Sequence, residues 1–216
     1  MTASGVPEEV FRIEVPKIAF SDPNLYAIKV MGDGSCFFHS VLRAFNLSYI
    51  NATASSERKR LAILVRHATA DSLEEKNHTT GKTEYESMGG GFYKNYNDAV
   101  KDVEGDRYSL DAMKRELMSS TPVDHAYTEI LSNHLNLDIY LISSQTGDIY
   151  ATGTDIKLYF KDRRSIVILY SPGHYDVIGI KRKSTEQEDV IFDTLFAPTH
   201  EFIAALRKRY KDITNR

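Results

Sequence analysis

The 216-residue sequence carries 27 Lys and Arg against 30 Asp and Glu, for a net charge of −3, with 42% hydrophobic and 26% charged residues. A chain of this length buries one substantial α/β core and would be cramped as two. The near-balanced charge, without long blocks of one sign, argues against nucleic acid as a partner, because phosphate binding draws on basic surface. No stretch approaches the ~18 apolar residues of a membrane span, and Glu8, Glu9 and Glu14 interrupt the region where a signal peptide would be apolar. One cysteine, Cys36, rules out an internal disulfide and fits a reducing, cytosolic compartment.

In chain order, residues 1–22 hold scattered apolar positions and read as a leading arm with no chemistry assigned. Residues 25–30 form a short apolar run with the look of a buried strand, ended by Gly32 and Gly34, which allow a tight turn. Phe37, Phe38, Val41, Leu42 and Phe45 then recur at helical spacing, which puts Cys36 on the first turn of a helix. Ser55-Ser56-Glu57 signals another helix start, and Leu61, Leu64, Val65, Ala68 and Ser72 predict its core-facing side over about five turns. Residues 76–91 are polar and end in three glycines, predicting a solvated linker or, in an enzyme, a loop lining a substrate channel. Helical periodicity returns at 93–103 and at Leu110, Met113 and Leu117, up to a stop at Pro122, and 125–135 predicts one more helix.

The last third changes period. Residues 137–143, 149–151, 156–160, 165–170 and 175–180 read as strands separated by turns such as Thr146-Gly147-Asp148. A charged link, 181–189, precedes Thr199, a candidate cap for a final helix carrying Phe202, Ile203, Leu206 and Tyr210. Helices first and strands later predict an α+β fold, with helices packed around one central sheet.

A thiol on the first turn of a helix meets unpaired backbone N–H groups and the positive end of the helix dipole, both of which favour the thiolate. The same N–H groups can hold a developing oxyanion, so Cys36 is a candidate nucleophile for acyl transfer. Taken alone, a single Cys also reads as a small buried hydrophobe. His174-x-Asp176 offers a base and an orienting acid, because residues i and i+2 of a strand project from one face.

Asp33-Gly34-Ser35-Cys36-Phe37-Phe38 resembles the Asp-Gly-x-Cys-[Leu/Phe]-[Phe/Tyr] signature of the OTU (ovarian tumour) family of cysteine proteases. Residues 166–170 and 177–180, flanking Ser171-Pro172-Gly173-His174-Tyr175-Asp176, are similar to that family's strand, turn and His-x-[Asp/Asn] strand. Residues 127–131 and 137–142 look like its helix-then-strand segment, and the likeness runs from about Leu25 to Ile180. The chain departs from the family at 123–127, where many members carry a Trp-Gly pair and this sequence has Val123-Asp124-His125-Ala126-Tyr127 and no Trp.

The resemblance implies a papain-like OTU fold with a central, mostly antiparallel sheet between helices. It implies an arm at 1–22, a protease domain at 23–182 and an extension with a helix at 183–216. It implies a thiol-dependent deubiquitinase acting at the C-terminal glycine of ubiquitin, with Cys36 as nucleophile, His174 as general base and acid, and Asp176 orienting His174. Asp33 is assigned to the oxyanion loop, with an Asx contact to nearby backbone as the plainer role, compatible with the first. His39, where the family often has Arg, is assigned to surrounding structure.

The other histidines show no metal-ligand spacing, so neither metal nor cofactor is expected. The expected partners are ubiquitin or polyubiquitin chains, with ubiquitin-like modifiers as further candidates. Neither nucleic acid nor membrane is expected, and the chain is expected to be a monomer in the cytosol. Two alternatives stand beside this reading: a viral or bacterial protease acting on a polyprotein or on ubiquitin-like modifiers, since small self-standing OTU domains resemble pathogen versions, and a non-catalytic ubiquitin-binding module.

Overall fold

The computed structural model describes residues 9–13, 24–150, 161–182 and 191–214. The strand expected at 156–160 and most of the charged link at 181–189 lie outside the described residues. The sheet contains β1 (Val10–Arg12), β2 (Leu25–Ile28), β3 (Asp138–Ser143), β4 (Ser165–Ser171), β5 (His174–Lys181) and β6 (Phe192–Asp193). Their order is β1-β2-β5-β4-β3, with β6 paired to β5. Only β3 and β4 run parallel; every other pair is antiparallel. β1 falls within the segment expected as an arm and extends the sheet beside β2.

Side-chain alternation along the strands divides the interior into two cores. Ile139, Leu141, Ile166, Ile168, Tyr175 and Val177 point into one, and Tyr140, Ile142, Val167, Leu169 and Ile178 into the other. Both faces are covered, so β3 and β4 read as nearly continuous apolar runs. The first face is packed by α1 (Cys36–Phe45), α3 (Ser55–Ser72), α6 (Leu110–Met118) and α7 (Thr128–Leu135). The second is packed by α8 (Glu201–Thr214) through Phe202, Ile203, Leu206 and Tyr210. The expected α+β architecture, a mostly antiparallel sheet between helices, is the one observed.

Several local expectations need correcting. In α3 the buried face is Arg58, Ala62, Arg66, Thr69, Ala70 and Ser72, while Leu64 is half exposed. Of the expected face, Leu61 and Val65 do pack against the core and Ser72 is buried, while Leu64 and Ala68 point outward and Arg66 takes a buried place. The segment 76–91 is not a plain linker. Thr83 and Glu86 form a reciprocal capping box that starts α4 (Glu84–Ser87), and Tyr85 and Met88 are buried in the first core. α6 stops at Met118, ahead of Pro122. The helix expected over 125–135 is a 3-10 turn (His125–Tyr127), capped by the Asp124 side chain, followed by α7. Ile149 makes a single bridge to Ile142 rather than a strand. Before α8 the capping side chain is that of His200, whose Nδ1 accepts from the Phe202 N–H at 3.2 Å, and not that of Thr199.

Arg66 is 1% exposed, yet each of its five N–H donors has an acceptor. Nε donates to the Leu117 carbonyl, Nη2 to the Glu116 and Thr121 carbonyls, and Nη1 to the Gly34 carbonyl and Ser35 Oγ, at 2.7–3.1 Å. The guanidinium thus neutralises the C-terminal carbonyls of α6 and ties them to the turn before α1. Arg66→Met keeps the length of the side chain and removes the donors. It is expected to lower the unfolding free energy by about 3–5 kcal/mol in chemical denaturation, and a loss under about 1 kcal/mol would show that these bonds stabilise little.

Candidate active site

The turn between β2 and α1 is built by its own residues. Gly34 has φ +83°, and a Cβ there would sit 2.0 Å from the Ser120 carbonyl oxygen, so both dihedral and space require glycine. Asp33 Oδ1 accepts the Ser35 N–H at 3.1 Å, the Asx contact anticipated as Asp33's plainer role. Ser35 precedes α1 without making a side-chain cap; its Oγ accepts from Arg66 instead. The first N–H groups of α1 are therefore left to the cysteine.

The backbone N–H groups of Tyr175, Phe37 and Cys36 itself hydrogen-bond the Cys36 sulfur and favour its thiolate. Burial is the larger effect: Cys36 is 5% exposed, and its thiol is pushed up from the ordinary value. The N–H groups at the helix start do favour the thiolate, as expected, and desolvation outweighs them.

Tyr175 lies between His174 and Asp176, so its contact brings the start of β5 against Cys36. The hairpin from β4 to β5 turns through Pro172 and Gly173, with Gly173 at φ +80° and open space around it. Its glycine is demanded by the dihedral. His174 Nε2 lies 3.0 Å from Asp176 Oδ1, and the same oxygen accepts the Val30 N–H at 3.2 Å. Asp176 is buried while the His174 side chain is about one-third exposed. A carboxylate accepts only, so Nε2 donates to Asp176, and Nδ1 is the ring nitrogen left available for proton exchange. The Nδ1–Cε1 edge faces Gly32: a Cβ built there would lie 3.8 Å from Nδ1 and 3.7 Å from Cε1.

The structure thus gathers Cys36, His174 and Asp176 at the end of the sheet where β2 leads into α1. Asp33 sits on the other side of the turn. Besides Ser35, its carboxylate meets His39 Nε2 at 3.1 Å and Lys59 Nζ at 3.9 Å. His39 is fully buried, and its Nδ1 lies 2.8 Å from the Tyr49 hydroxyl. Burial lowers the His39 pKa from its ordinary value; Asp33 opposes this, and Lys59 and Arg58 reinforce it. Behind the turn, a cleft of about 270 Å³ is bordered by Asp33, Ser35, Lys59, Ile63 and Met118.

Sequence reasoning missed Arg66, Tyr49 and the Tyr175 backbone. An Arg among alanines on a helix and a Tyr in a five-residue helix carry no motif, and a backbone donor has no side-chain signal. Among the described residues, no group of three or more His, Cys, Asp or Glu side chains is arranged to hold a metal ion, and no helix is long and apolar enough to cross a membrane.

No protein-family model and no curated protein sequence matches the chain. Among solved structures, it is similar to an ovarian tumour (OTU) domain in complex with ubiquitin, at 15% identity over 88% of this chain and 84% of that one, with a TM-score of 0.51. The chain has an OTU-like fold. Likenesses with lower TM-scores include the viral OTU domain protease from Farallon virus, at 19% identity over 74% of this chain and 95% of that one, TM-score 0.42. Another is an OTU deubiquitinase from Wolbachia pipientis wMel, at 15% identity over 73% and 90%, TM-score 0.43. Within the OTU-like fold, the 123–127 segment that lacks the Trp-Gly pair is a capped turn with Val123, Ala126 and Tyr127 buried.

Because the folded pKa of His39 lies below that of the unfolded chain, about 6.5, the unfolded state binds more protons in mild acid. The stability His39 contributes is present above that value and is lost as the pH falls from there toward its folded pKa. Unfolding free energies of wild type and His39→Gln, each compared at pH 7 and pH 5.5, are expected to show a steeper acid loss in wild type. Equal losses would place His39 at its ordinary value.

Proposed function

We propose that the protein is a thiol-dependent deubiquitinase that hydrolyses isopeptide bonds at the C-terminal glycine of ubiquitin. The observation that carries this reading is the His174 ring, held by Asp176 through Nε2 with its Nδ1–Cε1 edge toward the turn that leads to Cys36, within an OTU-like fold similar to one solved with ubiquitin.

In the first step the Cys36 proton moves to His174 Nδ1 as the sulfur attacks the glycine carbonyl carbon. Asp176, already holding Nε2–H, stabilises the imidazolium that results. The new oxyanion takes N–H groups at the start of α1, including that of Cys36, in a turn shaped by Asp33. The C–N bond then breaks as His174 returns the proton to the leaving lysine amine. Water, deprotonated by His174, releases ubiquitin from the thioester.

A ubiquitin probe bearing a C-terminal electrophile is expected to form one covalent adduct, at Cys36, absent in Cys36→Ala and read by intact mass. A folded protein left unmodified after overnight incubation would overturn the reading in favour of a binding module. The two aspartates separate by kinetics. Asp176→Ala is expected to lower kcat by orders of magnitude with little change in KM, as loss of a transition-state interaction does. Asp176→Asn should do less harm, because its amide oxygen still accepts the ring N–H. Asp33→Ala, acting on the oxyanion turn, is expected to cost about 3 kcal/mol in kcat. A near-normal Asp176→Ala beside a dead Asp33→Ala would reverse the two roles.

A further inference from the structure

The turn before Cys36 is held on one side by Arg66. On its other side stands a polar chain that packing alone does not call for. Tyr49 is 1% exposed and His39 is fully buried, and both lie within the apolar contact of α1, α2 (Leu47–Asn51) and α3. Leu and Phe would fill these places without desolvating a polar atom. The polar atoms instead line up: the Tyr49 hydroxyl is 2.8 Å from His39 Nδ1, His39 Nε2 is 3.1 Å from Asp33 Oδ1, and Asp33 Oδ1 accepts the Ser35 N–H at 3.1 Å.

For the neutral imidazole, the form that burial favours, one hydrogen-bond pattern satisfies every member. The carboxylate accepts, so Nε2 donates; Nδ1 is then an acceptor, and the tyrosine hydroxyl donates to it. Each link is anchored from behind. Tyr49 N–H is capped by the Asn46 side chain at 2.9 Å, and the Arg58 guanidinium lies 5.4 Å from the Tyr49 ring centroid. The Asp33 side chain is about one-quarter exposed, so without a fixed partner its carboxylate is free to turn toward water and Lys59.

We propose that His39 and Tyr49 are positioning residues: they hold the Asp33 carboxylate on the Ser35 N–H and thereby set the turn that presents the α1 N–H groups to the oxyanion. This rests on the reading of Cys36 as the nucleophile of acyl transfer. The arrangement is the converse of the one at β5. There a buried aspartate orients a histidine; here a buried histidine orients an aspartate. His39 touches neither substrate nor sulfur, and its effect passes through Asp33.

The test compares Tyr49→Phe, which keeps the ring, His39→Phe, which removes both polar contacts, and His39→Gln, whose amide N–H replaces the Nε2 donor. With a fluorogenic ubiquitin C-terminal amide, kcat is expected to fall about tenfold in Tyr49→Phe and about 100-fold or more in His39→Phe, with partial recovery in His39→Gln and KM within about twofold throughout. Alkylation of Cys36 by iodoacetamide generates no oxyanion and is expected to fall much less than kcat, reading only the smaller effect of the same N–H groups on the thiolate. Amide exchange at Ser35, followed by NMR in the same proteins, is expected to accelerate in the order Tyr49→Phe, then His39→Phe.

Should His39→Phe fail to fold, Tyr49→Phe and His39→Gln carry the comparison. A wild-type protein inert toward the amide would sink the deubiquitinase reading and leave this inference to Ser35 exchange. Unchanged Ser35 exchange overturns it, as does unchanged kcat in Tyr49→Phe and His39→Phe. Alkylation falling in step with kcat overturns it as well, since that marks general loosening.

Discussion

A single buried cation organises the region around the thiol. Arg66 brings a charge into a nearly dry interior, a placement that is tolerable only because five oxygen atoms receive its five N–H groups. Those oxygens belong to two pieces of chain far apart in sequence, the turn at 34–35 and the end of α6 with the residues just after it. The cation also lies 5.4 Å from the ring centroid of Phe38, one turn into α1. Held this tightly, the segment after α6 presses against the turn, and the close approach of the Ser120 carbonyl leaves room for nothing larger than glycine at 34. The position of Cys36 is in this sense a property of α3, which supplies the guanidinium.

Much of this was legible in the sequence. The apolar runs of β3, β4 and β5 and the change of period at Cys36 are direct physical signals, and so is the Pro172-Gly173 turn that launches His174. What stayed hidden involves polar residues that behave as core. The face of α3 departs from expectation at Leu64 and Arg66, because hydrophobicity ranks Leu64 above Arg66 whereas burial follows whichever side chain finds partners. The segment 76–91 was read as solvated because its stabilising features, a reciprocal cap and two buried side chains, are local and sparse. The contact of His39 with Asp33 was hidden because it depends on the fold of the turn between them.

Electrostatics at the thiol follow from competition between two features of one location. The helix start supplies donors that favour a thiolate, and the same packing that places the helix removes the water that would solvate it. Burial prevails, and the thiol is pushed up from its ordinary value. On the proposed reading the reactive form arises when a base takes the proton, and from β5 the Nδ1–Cε1 edge of His174 faces Gly32 in the turn. Asp33 and Asp176 are separated by the same turn and serve different neighbours, which is why two carboxylates so close to one sulfur need not share a role.

The sheet order places β5 between β2 and β4, so the strand carrying His174 is inserted between one of the first elements of the chain and one of the last. Val30 and Asp176, joined across that seam, are 146 residues apart. As the chain leaves the ribosome, Cys36 and its helix emerge before the imidazole proposed to activate the thiol is synthesised. On that reading, activation waits on the long-range step that zips β5 into place between β2 and β4.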